Sequence, residues 1–274
     1  MKKLSLLLPL FIYATCTHLF AAKVDTVQTF SKVMNKEIPA VVITPDTYNR
    51  EANFPVVYLL HGYSGNYGGY LEFAEVEKMA DQHNFIIVCP DGNYSSWYFD
   101  SPIDSTSRYE TYIAQELVEW IDNNFKTNPR RESRAISGWS RGGHGALYLA
   151  FLHQDVFGAC GSMSGGVDIR PFPNNWDMKK YLGEQSTHPE NWETHTIMGM
   201  LHLLTPNTLA ITIDCGIDDF FYDVNVRLHN ELLYRNIPHT FISRPGAHNT
   251  DFWKTSVEYH SLFFADFFGK TKTE

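Results

Sequence analysis

The chain has 274 residues, 43% hydrophobic and 15% aromatic, enough for a sizeable core in one large domain or two small ones. Charged residues make up 19%, below the usual share of about 25%, so a folded chain is expected apart from its ends. The net charge of −9 repels nucleic acid and anionic membrane surfaces, and no basic run with interleaved aromatics offsets it.

The first residues read as a targeting segment. Lys2 and Lys3 precede an apolar stretch from Leu4 to Phe20, which ends at Ala21 and Ala22. This pattern predicts a secretory signal peptide over residues 1–22, removed after Ala22, rather than a membrane anchor. Pro9, Thr15, Thr17 and His18 interrupt the stretch, and it is short for a span. Cleavage takes away two lysines and no acid, which moves the charge from −9 to −11. The expected location is therefore secreted or periplasmic, with no stable membrane insertion. Cys16 leaves with the signal. Cys89, Cys160 and Cys215 sit in apolar runs without metal-ligand spacing and are expected as buried free thiols.

Residues 27–33 and 38–44 read as two strands around a turn at Met34-Asn35-Lys36-Glu37. From residue 55 strand and helix signals alternate. Continuous apolar runs at 56–60 and 85–89 mark strands buried on both faces. Residues 70–82 read as one helix. Residues 107–125 read as another, with Ile113, Leu117, Trp120 and Ile121 on one side. A short strand at 135–138, a helix at 141–153 and a strand at 159–163 follow. Residues 165–207 then hold prolines and aromatics without a strand signal, as an insertion would. Strands at 209–215 and 239–244 alternate with helices at 222–236 and 251–268. Repeated β-α units predict an α/β fold, with a mostly parallel central sheet, helices on both faces, and the insertion over its active-site edge. No linker or repeat divides residues 23–274, which reads as a single domain.

Gly138-Trp139-Ser140-Arg141-Gly142 has the form G-x-S-x-G between a strand and a helix. That setting predicts a strained turn that lifts the Ser140 hydroxyl to the sheet's carboxyl edge, at a helix N-terminus. A serine hydroxyl is a weak nucleophile and needs a base. In chain order an acid and then a histidine should follow. Pro245-Gly246-Ala247-His248 fits the base. His260 within a helix, His239 at a strand start and His144 four residues from Ser140 fit it less well. Cys215-Gly216-Ile217-Asp218-Asp219 offers two acids, and spacing does not choose between Asp218 and Asp219. An oxyanion needs two amide donors. Arg141 supplies one by position, and Tyr63 in His61-Gly62-Tyr63-Ser64-Gly65 is the choice for the second.

Together these residues resemble the esterase D-like family of α/β-hydrolases, along with Pro90-Asp91-Gly92, Ser96-Trp97-Tyr98, Asp100-Ser101-Pro102 and Trp253. That family includes S-formylglutathione hydrolases, tributyrin-type, feruloyl and acetylxylan esterases, and mycolyltransferases. The resemblance implies the α/β-hydrolase fold and Asp219 as the acid, which closes a Gly-x-x-Asp loop. It also implies an ester substrate, small or glycan-borne, and no cofactor or metal. Arg141 departs from the pattern, since relatives often carry methionine there. A formylglutathione role conflicts with the signal peptide, because that substrate is cytosolic. Trp97 and Tyr98, after a core strand, are expected to stack on substrate. Trp176 and Trp192 in the insertion are expected beside the acyl group. Two rival readings use the same scaffold: acyl transfer to a sugar acceptor, and a catalytically inactive glycan-binding protein.

Overall fold

The computed structural model describes residues 21–49 and 51–270. The expected signal segment lies outside the described residues apart from Ala21 and Ala22. No described helix is long and apolar enough to cross a membrane.

Among the described residues eight strands form one sheet: β1 (Lys23–Ser31), β2 (Lys36–Thr44), β3 (Val56–Leu60), β4 (Ile86–Pro90), β5 (Arg134–Gly138), β6 (Ala159–Met163), β7 (Ala210–Gly216) and β8 (Thr240–Arg244). Their order is β1-β2-β4-β3-β5-β6-β7-β8. β2 runs antiparallel to β1 and β4, and every later pairing is parallel. β3, β4, β5 and β6 are buried on both faces, and their residues are apolar or small except Tyr58, whose ring is buried, and Arg134, which opens β5 and pairs with Asp122 at 2.8 Å. One core cluster holds the helices of residues 109–124, Arg141–Leu152 and Tyr222–Tyr234, together with residues of the insertion. The other holds the helices Gly69–Phe73, Val76–His83 and Thr250–Lys270. The helix Arg141–Leu152 is buried on every side except at Leu152, because the insertion covers the flank turned away from the sheet.

β1 begins and ends earlier than the pattern of residues 27–33 predicts. At the sheet's edge its buried positions are Thr29 and Ser31, so polarity hid the strand. The helix expected over 70–82 is two helices, broken where Ala74 turns extended. The helix over 109–124 is π-helical from Tyr112 to Leu117. There Tyr112 shares a 2.6 Å hydrogen bond with Thr29 of β1, and Glu116 accepts from the Ser31 hydroxyl at 2.6 Å. The insertion contains two short helices, Met178–Leu182 and Pro189–Thr194, and two single 3-10 turns.

The chain leaves β3 for β4 on one side of it and later adds β5 on the other. Strand order reverses at that point, which opens a crevice at the carboxyl ends of β3 and β5.

Candidate active site

Four loops meet at this crevice. The loop after β3 carries Tyr63 and the turn after β5 carries Ser140. The loop after β7 carries Asp219, and the loop after β8 carries His248.

Ser140 has φ 55° and ψ −121°, a conformation that side chains with a Cβ rarely adopt and that stores strain. The two flanking glycines make it possible. A Cβ on Gly138 would lie 2.4 Å from the Gly142 carbonyl carbon, and one on Gly142 would lie 2.2 Å from the Leu60 carbonyl oxygen. The elbow therefore packs backbone to backbone between β3 and the following helix, with Ser140 held at its tip.

His248 Nε2 lies 2.9 Å from Ser140 Oγ, and its Nδ1 lies 2.8 Å from Asp219 Oδ2 and 3.0 Å from Oδ1. Asp219 also accepts the Phe221 N–H at 2.8 Å. A carboxylate on Nδ1 requires the Nδ1–H tautomer, so Nε2 presents its lone pair to the serine hydroxyl. The Asp219 side chain is buried and that of His248 is 14% exposed, so the line opens to solvent at its histidine end. Asp218 is exposed and donates its backbone N–H to the Gly246 carbonyl. The structure thus brings Asp219, not Asp218, to His248.

The rival histidines lie elsewhere. His260 Nδ1 is 2.8 Å from Ser137 Oγ beneath the sheet, and His239 Nε2 is 2.7 Å from His229 Nδ1. His144 is fully buried among Trp97, Phe99 and Tyr148, where burial lowers its pKa to about 3 and keeps it neutral.

The Arg141 side chain turns inward. It is fully buried, lies over the Tyr98 ring at 4.6 Å, and donates to the Gly92 and Asn93 carbonyls at 3.1 and 2.9 Å. It therefore leaves its main-chain N–H at the helix start without lining the crevice. Neighbouring His61 accepts the Gly92 N–H on Nε2 at 2.8 Å and donates from Nδ1 to the Gly62 carbonyl at 2.9 Å. Arg141 Nη2, 3.1 Å from that protonated nitrogen, meets another donor and directs its hydrogens to Asn93. Burial and the Arg141 charge hold His61 neutral.

Trp97 and Tyr98 correct an expectation. Both are buried, so neither ring is open to a substrate. Tyr98 donates to the His61 carbonyl at 2.9 Å, and Trp97 Nε1 donates to the Trp176 carbonyl at 3.0 Å. Their indole and phenol anchor loops. Trp192 is likewise buried, donating to the Gly183 carbonyl at 2.9 Å. Trp176 is half-buried and does reach the crevice. It stacks on Phe220 at 5.9 Å, and the Phe220 ring lies 4.3 Å from His248. Phe220 is 55% exposed, and the sequence reading passed over it. Its position directly after Asp219 was the available signal. Tyr63, half-buried, packs against exposed Tyr94 at 5.0 Å and donates its hydroxyl to Asp177.

Cys89, Cys160 and Cys215 are buried free thiols. Among the described residues no group of three or more His, Cys, Asp or Glu is placed to hold a metal ion.

A mostly parallel sheet with a strained serine elbow after its fifth strand, and an acid–histidine pair after its seventh and eighth, is the α/β-hydrolase fold. The chain belongs to the putative esterase family, whose model matches residues 31–263. An acetyl esterase of Caldicellulosiruptor saccharolyticus is 24% identical over 248 residues, 83% of this chain and 92% of that protein. A Mycobacterium tuberculosis esterase is 33% identical over 135 residues, 47% of this chain. The match covers only 29% of that relative's length. Among solved structures, a ferulic acid esterase superposes with a TM-score of 0.79 at 28% identity, covering 91% of this chain and 99% of that one. The family is one of esterases, and the fold is shared with the ferulic acid esterase.

Proposed function

We propose that the protein is an exported serine esterase that works through an acyl-enzyme on Ser140. The observation that carries this reading is the hydrogen-bonded line from Asp219 through His248 to a serine in a strained elbow.

His248 Nε2 takes the Ser140 proton as Oγ bonds to the ester carbonyl carbon. Asp219 holds the Nδ1–H tautomer and stabilises the imidazolium that forms. The carbonyl electrons move to oxygen, and the main-chain N–H groups of Tyr63 and Arg141 hold that oxyanion. The helix beginning at Arg141 adds its dipole to the same charge. Collapse of the intermediate breaks the bond to the alcohol, which leaves with the proton from His248. Water, activated by the same histidine, then attacks the acyl-enzyme and releases the acid. No metal or organic cofactor enters these steps.

Acetyl, feruloyl or other short acyl groups, free or on carbohydrate, are the substrates we favour. The names of two relatives support this, as does the aromatic wall of Trp176 and Phe220 beside His248. Export rests on the leader-like residues 1–22 and places the mature protein outside the cytosol.

The test is turnover of p-nitrophenyl acetate, butyrate, octanoate and ferulate by the exported protein, its start at Lys23 checked by intact mass, and by Ser140→Ala. The variant should lose about three to six powers of ten in rate. Equal activity in both proteins, or none in the wild type, would overturn the esterase reading. Glycan binding by an inert wild type would put the inactive-scaffold reading in its place.

A further inference from the structure

Trp176 and Asp177 are consecutive residues at the front of the insertion, and both have left-handed backbones, with φ of 51° and 56°. Neither is glycine, so each conformation costs about 1 kcal/mol or more and persists only where other contacts hold it. Three contacts do. The Trp97 indole donates to the Trp176 carbonyl at 3.0 Å. The Trp176 ring stacks on Phe220 with its plane 17° away. The Tyr63 hydroxyl donates to Asp177 Oδ2 at 3.0 Å. The dipeptide therefore ties the loop after β3 to the aromatic pair beside His248.

Tyr63 needs no hydroxyl to offer a main-chain N–H, since any residue but proline would supply one. A tyrosine here, aimed at a carboxylate that sits in a costly backbone conformation, calls for its own account. A carboxylate acceptor makes a shorter and stronger hydrogen bond than a neutral one. Burial and the Asp177 carboxylate push the Tyr63 hydroxyl up to about 12, so it remains a donor throughout the neutral range.

We propose that the Tyr63 hydroxyl and Asp177 form a latch that holds Trp176 against Phe220 and so sets which acyl groups the crevice accepts. The proposal rests on the esterase reading. Asp177 acts here as a positioning residue, through Trp176. With the latch closed, Trp176 and Phe220 form one continuous wall beside His248. A large flat acyl group uses that wall, and an acetyl group reaches less of it. Opening the latch should therefore cost most on the largest acyl group that the wild type accepts.

The test uses Tyr63→Phe, Asp177→Gly, Asp177→Asn and the double variant Tyr63→Phe/Asp177→Gly. Phenylalanine keeps the main-chain N–H. Glycine adopts φ 56° without strain and removes the acceptor together with the rest of the side chain, which also frees the backbone, so Tyr63→Phe is the variant that removes the bond alone; asparagine tolerates that φ and keeps an acceptor oxygen. The readouts are the ratio of kcat/KM for the largest accepted acyl group to that for acetate, and hydrogen exchange of the amides of 172–180. Tyr63→Phe and Asp177→Gly should each lower the ratio about five- to tenfold, the size of one lost side-chain hydrogen bond, and should speed exchange. The double variant should lose no more than either single one, because both remove the same bond. Asp177→Asn, which keeps a neutral and weaker acceptor, should fall between wild type and Asp177→Gly in both readouts. An unchanged ratio with unchanged exchange, additive losses, or an asparagine variant as impaired as the glycine one would overturn the latch. If Ser140→Ala remained active, the esterase reading would fall separately, and the exchange data would still decide whether the latch exists.

Discussion

Two adjacent acids show how finely position matters at the scale of single residues. Asp218 and Asp219 share a loop and a charge, yet Asp219 alone faces His248. The cause is backbone geometry. Gly216 accepts the Asp219 N–H and Gly246 accepts the Asp218 N–H, and this rotates one side chain inward and the other to solvent. Asp219→Asn leaves the shape of the site intact but favours the wrong imidazole tautomer, so kcat should fall by about four powers of ten. Asp218→Asn should alter kcat less than about twofold, since it changes only an exposed charge. Ester kinetics on both variants check this. A loss in Asp218→Asn equal to that in Asp219→Asn would refute the assignment.

Loops and helices are joined by side chains that do no chemistry in the proposed mechanism. Arg141 is the clearest. From the first turn of the helix after Ser140 it fastens the loop after β4 through the Gly92 and Asn93 carbonyls. Arg141→Met would keep the main-chain N–H at the elbow and leave two carbonyls without that donor. We expect a stability loss of about 2–4 kcal/mol, and hence a Tm lower by roughly 5–15 °C for a chain of this size. The effect on kcat should be far smaller than that of Asp219→Asn. A variant as stable as the wild type would mean that relief from burying a charge offsets the lost hydrogen bonds. Arg244 plays a similar part at the base's loop. It donates to the Phe252 carbonyl at 2.8 Å and to Ser256 Oγ at 2.6 Å, closing residues 245–249 at both ends.

Across the whole molecule, buried ionisable groups set the dependence of stability on pH. Asp214 of β7 has a fully buried carboxylate, which Arg244 approaches at 3.6 Å from β8 and Ser256 faces from the last helix. Burial raises its pKa from 3.8 to about 6, against the pull of Arg244. The native state thus favours the protonated acid. Its contribution is complete below pH 3.8 and is lost as pH rises through about 6. Asp214→Asn removes this ionisation. Relative to wild type it should gain stability between pH 4 and 7, by up to about 3 kcal/mol. Denaturant unfolding of both proteins across that range gives the difference, and a difference that stays flat with pH would refute the assignment. His144 and His260 work in the opposite direction. Burial lowers each to about 3, so the stability they contribute is full above 6.5 and declines as pH falls towards 3.

Local pattern was enough to read the alternation of strands and helices, the parallel sheet, the family and the serine turn, because each is written in contiguous residues. A strand buried on both faces needs an unbroken apolar run, and a backbone-to-backbone elbow needs glycines at fixed spacing. The same local reasoning failed at β1, where edge exposure removes the apolar signal, and inside the insertion, where no period is imposed. It also misjudged Trp97 and Tyr98, since an aromatic ring after a core strand looks the same in sequence whether it faces solvent or anchors a loop. Only the tertiary structure separated Asp219 from Asp218, turned Arg141 inward, and joined Tyr63 to Asp177 across 114 residues. Those outcomes depend on which distant loops meet at the crevice, and the strand order of the sheet sets that meeting.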